Sequence, residues 1–258
     1  MNPFAASLLV ACLFMLAMTV QVFAIKISKP NAGQRTLITD SLSIDIEGNQ
    51  NVPKFGYSFA NDSRIQGFKV QFARASQTDS DHNEIPSTNI ALASLNYDFS
   101  EFVTNSDNSV DFNITSSGGN PTFQFRIHVN STSKSFKFDT VISGVTWNNK
   151  AAYLSLCYKV LDRDSGNGIN AANSTSTRAS FGKGYFDIEP RALAINGTSV
   201  KAGLRNSGNT ICVEYEKWDG TLVHDPTLGY STSVSVSFAS ANSFSLLVVL
   251  VALIASLW

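Results

Sequence analysis

The sequence predicts an all-β chain, an antiparallel β-sandwich of jelly-roll or immunoglobulin-like kind, and three observations carry that expectation. Apolar residues recur at every second position in short runs, clusters of Asn, Ser, Gly and Pro separate the runs, and no stretch keeps a capped 3.6-residue period for three turns. Such alternation puts one face of each strand in a core and the other toward solvent. The first rows are Leu42, Ile44 and Ile46; Phe55, Tyr57 and Phe59; and Phe68, Val70 and Phe72. Val110, Phe112 and Ile114 form the next, then Phe123, Phe125, Ile127 and Val129, then Phe136, Phe138 and Thr140. A strand through Cys157, a row at Phe186 and Ile188, and a strand through Cys212 complete the series. Phenylalanine supplies 18 residues, mostly on these rows, which points to rings packed between sheet layers rather than to an aromatic ligand platform.

The polar stretches Ser76 to Asn89 and Asp162 to Ala179 are the longest candidate loops, and neither has the composition of a linker. No repeat of fixed period divides the chain, so one β-domain is expected.

Two uncharged runs flank that domain. Phe4 to Val22 carries no charge and leads into Val22-Phe23-Ala24, which predicts a signal peptide over residues 1–24, cleaved after Ala24. Leu246 to Trp258 is apolar except for Ser256, and is shorter than the roughly twenty residues a spanning helix needs. An apolar tail behind a polar spacer is expected to act as a glycosylphosphatidylinositol (GPI) attachment signal. Spacer length favours Ser231 as the attachment residue, and Ser240 is the alternative. Against Ser231, Val234, Val236 and Phe238 alternate with serines as a strand would. The expected division is signal peptide 1–24, ectodomain 25–231, and spacer with propeptide 232–258.

Five positions fit Asn-x-Ser/Thr without an intervening proline: Asn61, Asn113, Asn130, Asn173 and Asn196. Most sit at run ends or in polar loops, Asn196-Gly197 is a hairpin dipeptide, and Asn113 falls on the polar side of its strand. Removing the signal leaves Cys157 and Cys212, which are expected to pair in an oxidising compartment. The apolar rows 154, 156, 158, 160 and 211, 213, 215 put both cysteines on the opposite parity. That parity predicts neighbouring strands bridged on the less buried face. Closing this loop is worth roughly 4 kcal/mol in the chain-entropy model.

The candidate chemistry is sparse. With 19 basic and 20 acidic residues the net charge is −1, and no field for nucleic acid follows. Glu214-Tyr-Glu216-Lys-Trp-Asp219 places three acids close together, and the spacing resembles the Glu-x-Asp-x-x-Glu pattern of jelly-roll glycoside hydrolases of the laminarinase type. The resemblance covers six residues, with the middle and last acids exchanged in kind. It implies paired catalytic carboxylates; the residues themselves read as a solvated outer strand face beside Cys212.

Asp162 to Asn170 has the composition of a calcium loop, but Asn167 and Asn173 occupy the positions where an EF-hand needs Gly and Glu, so a turn is expected. Asp79, Asp81 and Glu84 form a weaker acidic loop. Gln124, Arg126, His128 and Lys137, with Lys134 at the turn, give the hairpin 123–142 a basic outer face. His82, His128 and His224 have no metal spacing, and Gly-x-Ser-x-Gly is absent.

The expectation is therefore a non-catalytic extracellular glycoprotein, held on the outer leaflet of the plasma membrane by a GPI anchor. It would serve adhesion, recognition or matrix assembly through a protein or glycan ligand, with no catalytic residue, metal, cofactor or nucleic-acid partner. The alternatives are a GPI-anchored carbohydrate-active enzyme of jelly-roll type, and a matrix protein shed into secreted or mineralised material.

Overall fold

The computed structural model describes residues 26–28, 34–38, 43–47, 54–58, 67–107, 109–130, 135–171 and 174–230. These are almost entirely antiparallel β-structure, with no α-helix among them and two single-turn 3-10 helices at Pro86–Thr88 and Leu92–Ser94. The predicted signal peptide and attachment signal, together with Leu42, Phe59, Asn61, Lys134, Asn173, Ser231 and Ser240, lie outside the described residues.

The strands in chain order are β1 (Lys26–Ser28), β2 (Gln34–Ile38), β3 (Ser43–Glu47), β4 (Lys54–Ser58), β5 (Phe68–Thr78), β6 (Ile90–Ala91), β7 (Asn96–Phe99) and β8 (Val103–Thr104). They continue as β9 (Val110–Ser117), β10 (Thr122–Val129), β11 (Ser135–Ser143), β12 (Tyr153–Asp162), β13 (Arg178–Phe181) and β14 (Gly184–Asp187). The last are β15 (Arg191–Ala194), β16 (Ser199–Ser207), β17 (Thr210–Glu216), β18 (Leu222–His224) and β19 (Thr227–Tyr230).

One ladder runs β1-β2-β3-β4-β5-β12-β17-β16. A second runs β9-β10-β11, continues through β18 to β15 and through β19 to β14 and β13, and carries β7 and β8 on the outer edge of β9. Strand β16 joins them: residues 199–201 pair with β15 and residues 202–207 with β17. The result is a single curled sheet whose two arms face each other.

Aromatic rings fill the space between the arms, as the alternating rows predict. Phe72 of β5 stacks on Phe125 of β10 with centroids 4.1 Å apart, and Phe55 of β4 meets Phe136 and Phe138 of β11 at 5.3 and 5.4 Å. Tyr158 of β12 packs on Phe186 of β14 at 5.2 Å. All of these rings are buried, and each contributes on the order of 1.5–3 kcal/mol by leaving water. The Tyr57 hydroxyl, taken into the same layer, donates to the carbonyl of Leu228 at 2.8 Å, so the ring buries no unsatisfied polar atom.

The pairing of β5 with β12 contains one irregularity. Opposite Cys157 and Tyr158 the register of β5 slips, so that Cys157 pairs with Arg74 while Tyr158 pairs with Phe72. Ala73 is the extra residue. Because side chains alternate strictly, one inserted residue exchanges the two faces of everything beyond it. Phe68, Val70 and Phe72 point into the core before the bulge, and beyond it Arg74, Ser76 and Thr78 share a face with Cys157, Ser155 and Tyr153 of the partner strand.

Candidate functional site

The face opposite the aromatic layer is built row by row from four strands. In the first row Arg74, Cys157, Cys212 and Arg205 lie side by side on β5, β12, β17 and β16; in the second, Ser76, Ser155, Glu214 and Gly203 do so. Gly203 keeps the flank of Glu214 open, since a Cβ added there would meet no heavy atom within 4 Å. Cys157 and Cys212 are directly paired residues, 4.0 Å apart at Cα with sulfurs at bonding distance, which is the adjacency their parity predicts.

The loop after β5 folds back over these rows. The Asp79 carboxylate accepts the backbone N–H groups of Asp81 and Asn83 at 2.9 and 2.8 Å, and hydrogen bonds from this turn, that of Asn83 foremost, hold its pKa below the usual carboxylate range. The tight turn puts His82 at φ +64°, the only non-glycine residue with positive φ among those described. That conformation is costly for a side chain with a Cβ and persists only where surrounding contacts fix it. Here the imidazole stacks on Tyr153 with centroids 4.7 Å apart, and Nδ1 lies 2.8 Å from the Glu214 carboxylate. Arg205 approaches the same oxygen at 3.9 Å.

Glu214 therefore does not lie on a solvated outer face, as its sequence suggests: it is only 8% exposed, because the returning loop covers it. Burial raises its pKa, and the nearby His82 and Arg205 oppose that rise. Cys157 is buried as well, but Tyr153 and Cys212 are half-buried and Lys159 is exposed, so this face remains the less buried of the two while it is closed at its centre. Arg74 and Glu84 form a further pair at 3.3 Å on the wall. Together these groups enclose a polar groove of about 270 Å³ floored by the disulfide.

Two arginines and two carboxylates line the groove in pairs, so their formal charges cancel. Each guanidinium retains free N–H donors and each carboxylate free lone pairs. Such a surface offers alternating donors and acceptors to a polar partner without selecting for net charge. Glu216 and Asp219, the other two acids of the sequence cluster, are exposed and stand outside the groove lining; Glu216 lies 3.8 Å from Lys201.

The remaining predicted residues fall elsewhere. Asp162 Oδ1 accepts hydrogen bonds from the Asp164 and Ser165 amides at 3.1 and 2.7 Å, which makes its segment a side-chain-capped turn. Among the described residues no group of three His, Cys, Asp or Glu side chains is arranged to hold a metal ion. Gln124, Arg126, His128 and Lys137 face outward on β10 and β11, with His128 Nδ1 2.6 Å from Asp111. His224 is buried: its Nε2–H donates to the Glu189 carbonyl at 2.8 Å, which leaves Nδ1 to accept the Tyr215 hydroxyl at 3.1 Å. Desolvation depresses its pKa and keeps the ring neutral. Asn113 is half-buried on β9, Asn130 follows β10, and Asn196 is exposed in the β15–β16 hairpin, where its side chain accepts the Thr198 amide at 2.9 Å.

The link between His82 and Glu214 is not visible in the sequence, which shows three isolated histidines. The nearest local signal is the string Asp79 to Asn83, whose polar composition favours a turn.

No protein-family model and no curated protein matches the chain. Among solved structures, the alpha-N-acetylgalactosaminidase NagBb from Bifidobacterium bifidum, in complex with GalNAc, is similar at a TM-score of 0.38 and 9% identity, over 76% of this chain and 36% of that one. The chain thus spans about a third of that enzyme's length, and a likeness of this degree carries no argument about activity.

Proposed function

We propose that the chain is a GPI-anchored extracellular glycoprotein, non-catalytic, acting in cell-surface adhesion or recognition or as a matrix component, and that the groove over Cys157–Cys212 is its binding surface. The observation that carries this reading is the groove itself: a strained His82, a desolvated Glu214 and paired arginines arranged over a disulfide. Backbone strain and desolvated ionisable groups cluster at functional sites, and a bridge between neighbouring strands suits an oxidising compartment. The fold reading that accompanies it is a jelly-roll-like or immunoglobulin-like sandwich, supported by the aromatic layer between the two arms. The apolar tail behind Ser231 to Ser245 supports the lipid anchor.

The test uses the full chain expressed on eukaryotic cells. Phospholipase C should release it into the medium, and the released protein should bind members of a glycan and protein array. Complete retention on the cell, or release without binding to any member, contradicts the proposal.

A second reading, an anchored carbohydrate-active enzyme, draws on the raised pKa of Glu214, a property that a general acid requires. It predicts that the wild-type chain releases reducing ends from polysaccharide and that Glu214→Gln abolishes the release. Equal release by both chains, or none from either, removes it.

A further inference from the structure

On the outer side of β9 and β10 lies another concavity, of about 290 Å³, bordered by Ser100, Val103, Asn113, Arg126, His128 and Asp139. Several of its polar groups are already engaged: His128 with Asp111 at 2.6 Å, and Arg126 Nε with Gln124 Oε1 at 3.1 Å. Val103 and Asn113 are not. Val103 is 56% exposed, one of three large apolar side chains so exposed among the described residues. Asn113 has both backbone groups held, its N–H donating to Ser100 Oγ at 2.8 Å and its carbonyl accepting the Ser100 amide at 2.9 Å, yet its side-chain amide makes no hydrogen bond among the described residues. In Asn196, by contrast, the side-chain oxygen is engaged by Thr198.

A free carboxamide in an Asn-Ile-Thr sequence, on the rim of a polar cavity with one bare apolar side chain, matches the chemistry of an N-linked sugar. A 2-acetamido sugar has hydroxyls for the polar rim, and a methyl group and C–H face for Val103. We propose that the cavity seats the first sugar of an N-glycan carried by Asn113. The inference rests on the extracellular reading above, because attachment requires the secretory pathway. In that attachment Asn113 Nδ2 forms a bond to the anomeric carbon, the bond from that carbon to a polyisoprenoid pyrophosphate breaks, and one Nδ2 proton leaves to the base of the transferring enzyme. Burial of Val103 and of the sugar's apolar face then holds the β8 edge against β9.

Glycopeptide mass spectrometry of the full chain from secreting eukaryotic cells, with hydrogen exchange over residues 99–104, tests this. Asn113 should be occupied. Endoglycosidase trimming to a single sugar should leave exchange unchanged, whereas Asn113→Gln should speed it severalfold. Val103→Ser should speed it equally with the glycan still attached, and Thr115→Ser, which keeps the sequon, should match wild type. Asn113 unmodified while Asn130 or Asn196 carries sugar overturns the inference alone. So does unchanged exchange in both Asn113→Gln and Val103→Ser. A chain with no sugar at any sequon overturns the inference and the extracellular reading together.

Discussion

At the middle of strand β12 both sides are hidden from water, but by different means. Leu154, Leu156 and Tyr158 face the aromatic layer, where Tyr158 packs among Phe72, Phe138 and Phe186. Ser155 and Cys157 face the groove and are enclosed by a disulfide, a returning loop and ion pairs. Apolar burial is non-directional and stabilises in proportion to area. The groove side gains little of that, and instead binds covalently what it cannot hold by packing. A region held in this way keeps polar groups oriented and available, which is what recognition needs and a core does not.

The largest loss is expected on the core side. Phe72→Ala, which removes the ring stacked on Phe125 and in contact with Phe55 and Tyr158, should cost about 3–5 kcal/mol in denaturant unfolding. On the groove side, replacing Cys157 and Cys212 together by Ala should cost about 2–4 kcal/mol by the same measurement. A double cysteine variant as stable as wild type would mean that packing holds the groove after all.

Acid and base act on the two sides with different signs. Burial depresses the pKa of His224, whose ring lies behind the core-facing Tyr215, so its contribution is fully present above the ordinary imidazole value near 6.5 and declines as pH falls below it toward the lowered value. Unfolding free energy measured from pH 7 to 5 should therefore fall more steeply in wild type than in His224→Gln, by at most ~1.4 kcal/mol per pH unit for one proton. Glu214 and Asp139 act with the opposite sign. Their pKa values are raised, by burial first, so their contributions are present in acid and lost as pH rises through the carboxylate range. Glu214→Gln should reduce that second dependence to the part due to Asp139 and leave the His224 dependence intact.

The arms of the sheet are legible in the sequence because residues such as Phe123, Phe125, Ile127 and Val129 obey period two without interruption, and every one of them is buried. The cysteine pair is legible for the same reason: parity on β12 and β17 fixes a shared face. The groove is not, and the cause lies at Ala73. The row Phe68, Val70, Phe72 ends at a bulge that no residue type announces, and with it the sequence loses track of which way Arg74 points. His82 is hidden for a related reason. Its position depends on the Asp79 turn and on a stack with Tyr153, both contacts of the folded chain, so composition alone shows an acidic loop and an isolated histidine. Glu214 reads as solvated because covering by a loop from another part of the chain leaves no trace in the local pattern.

Whether partners bind over the disulfide is decided by titrating intact wild-type protein and the Arg74→Ala variant with the same array-selected partner. Arg74 is half-exposed on the groove wall and pairs with Glu84, so its removal takes away free N–H donors while leaving the aromatic layer untouched. If the groove is the binding surface, Kd rises about tenfold or more, equivalent to ~1.4 kcal/mol or more, with unchanged thermal stability. An unchanged Kd in a folded Arg74→Ala protein would contradict that assignment.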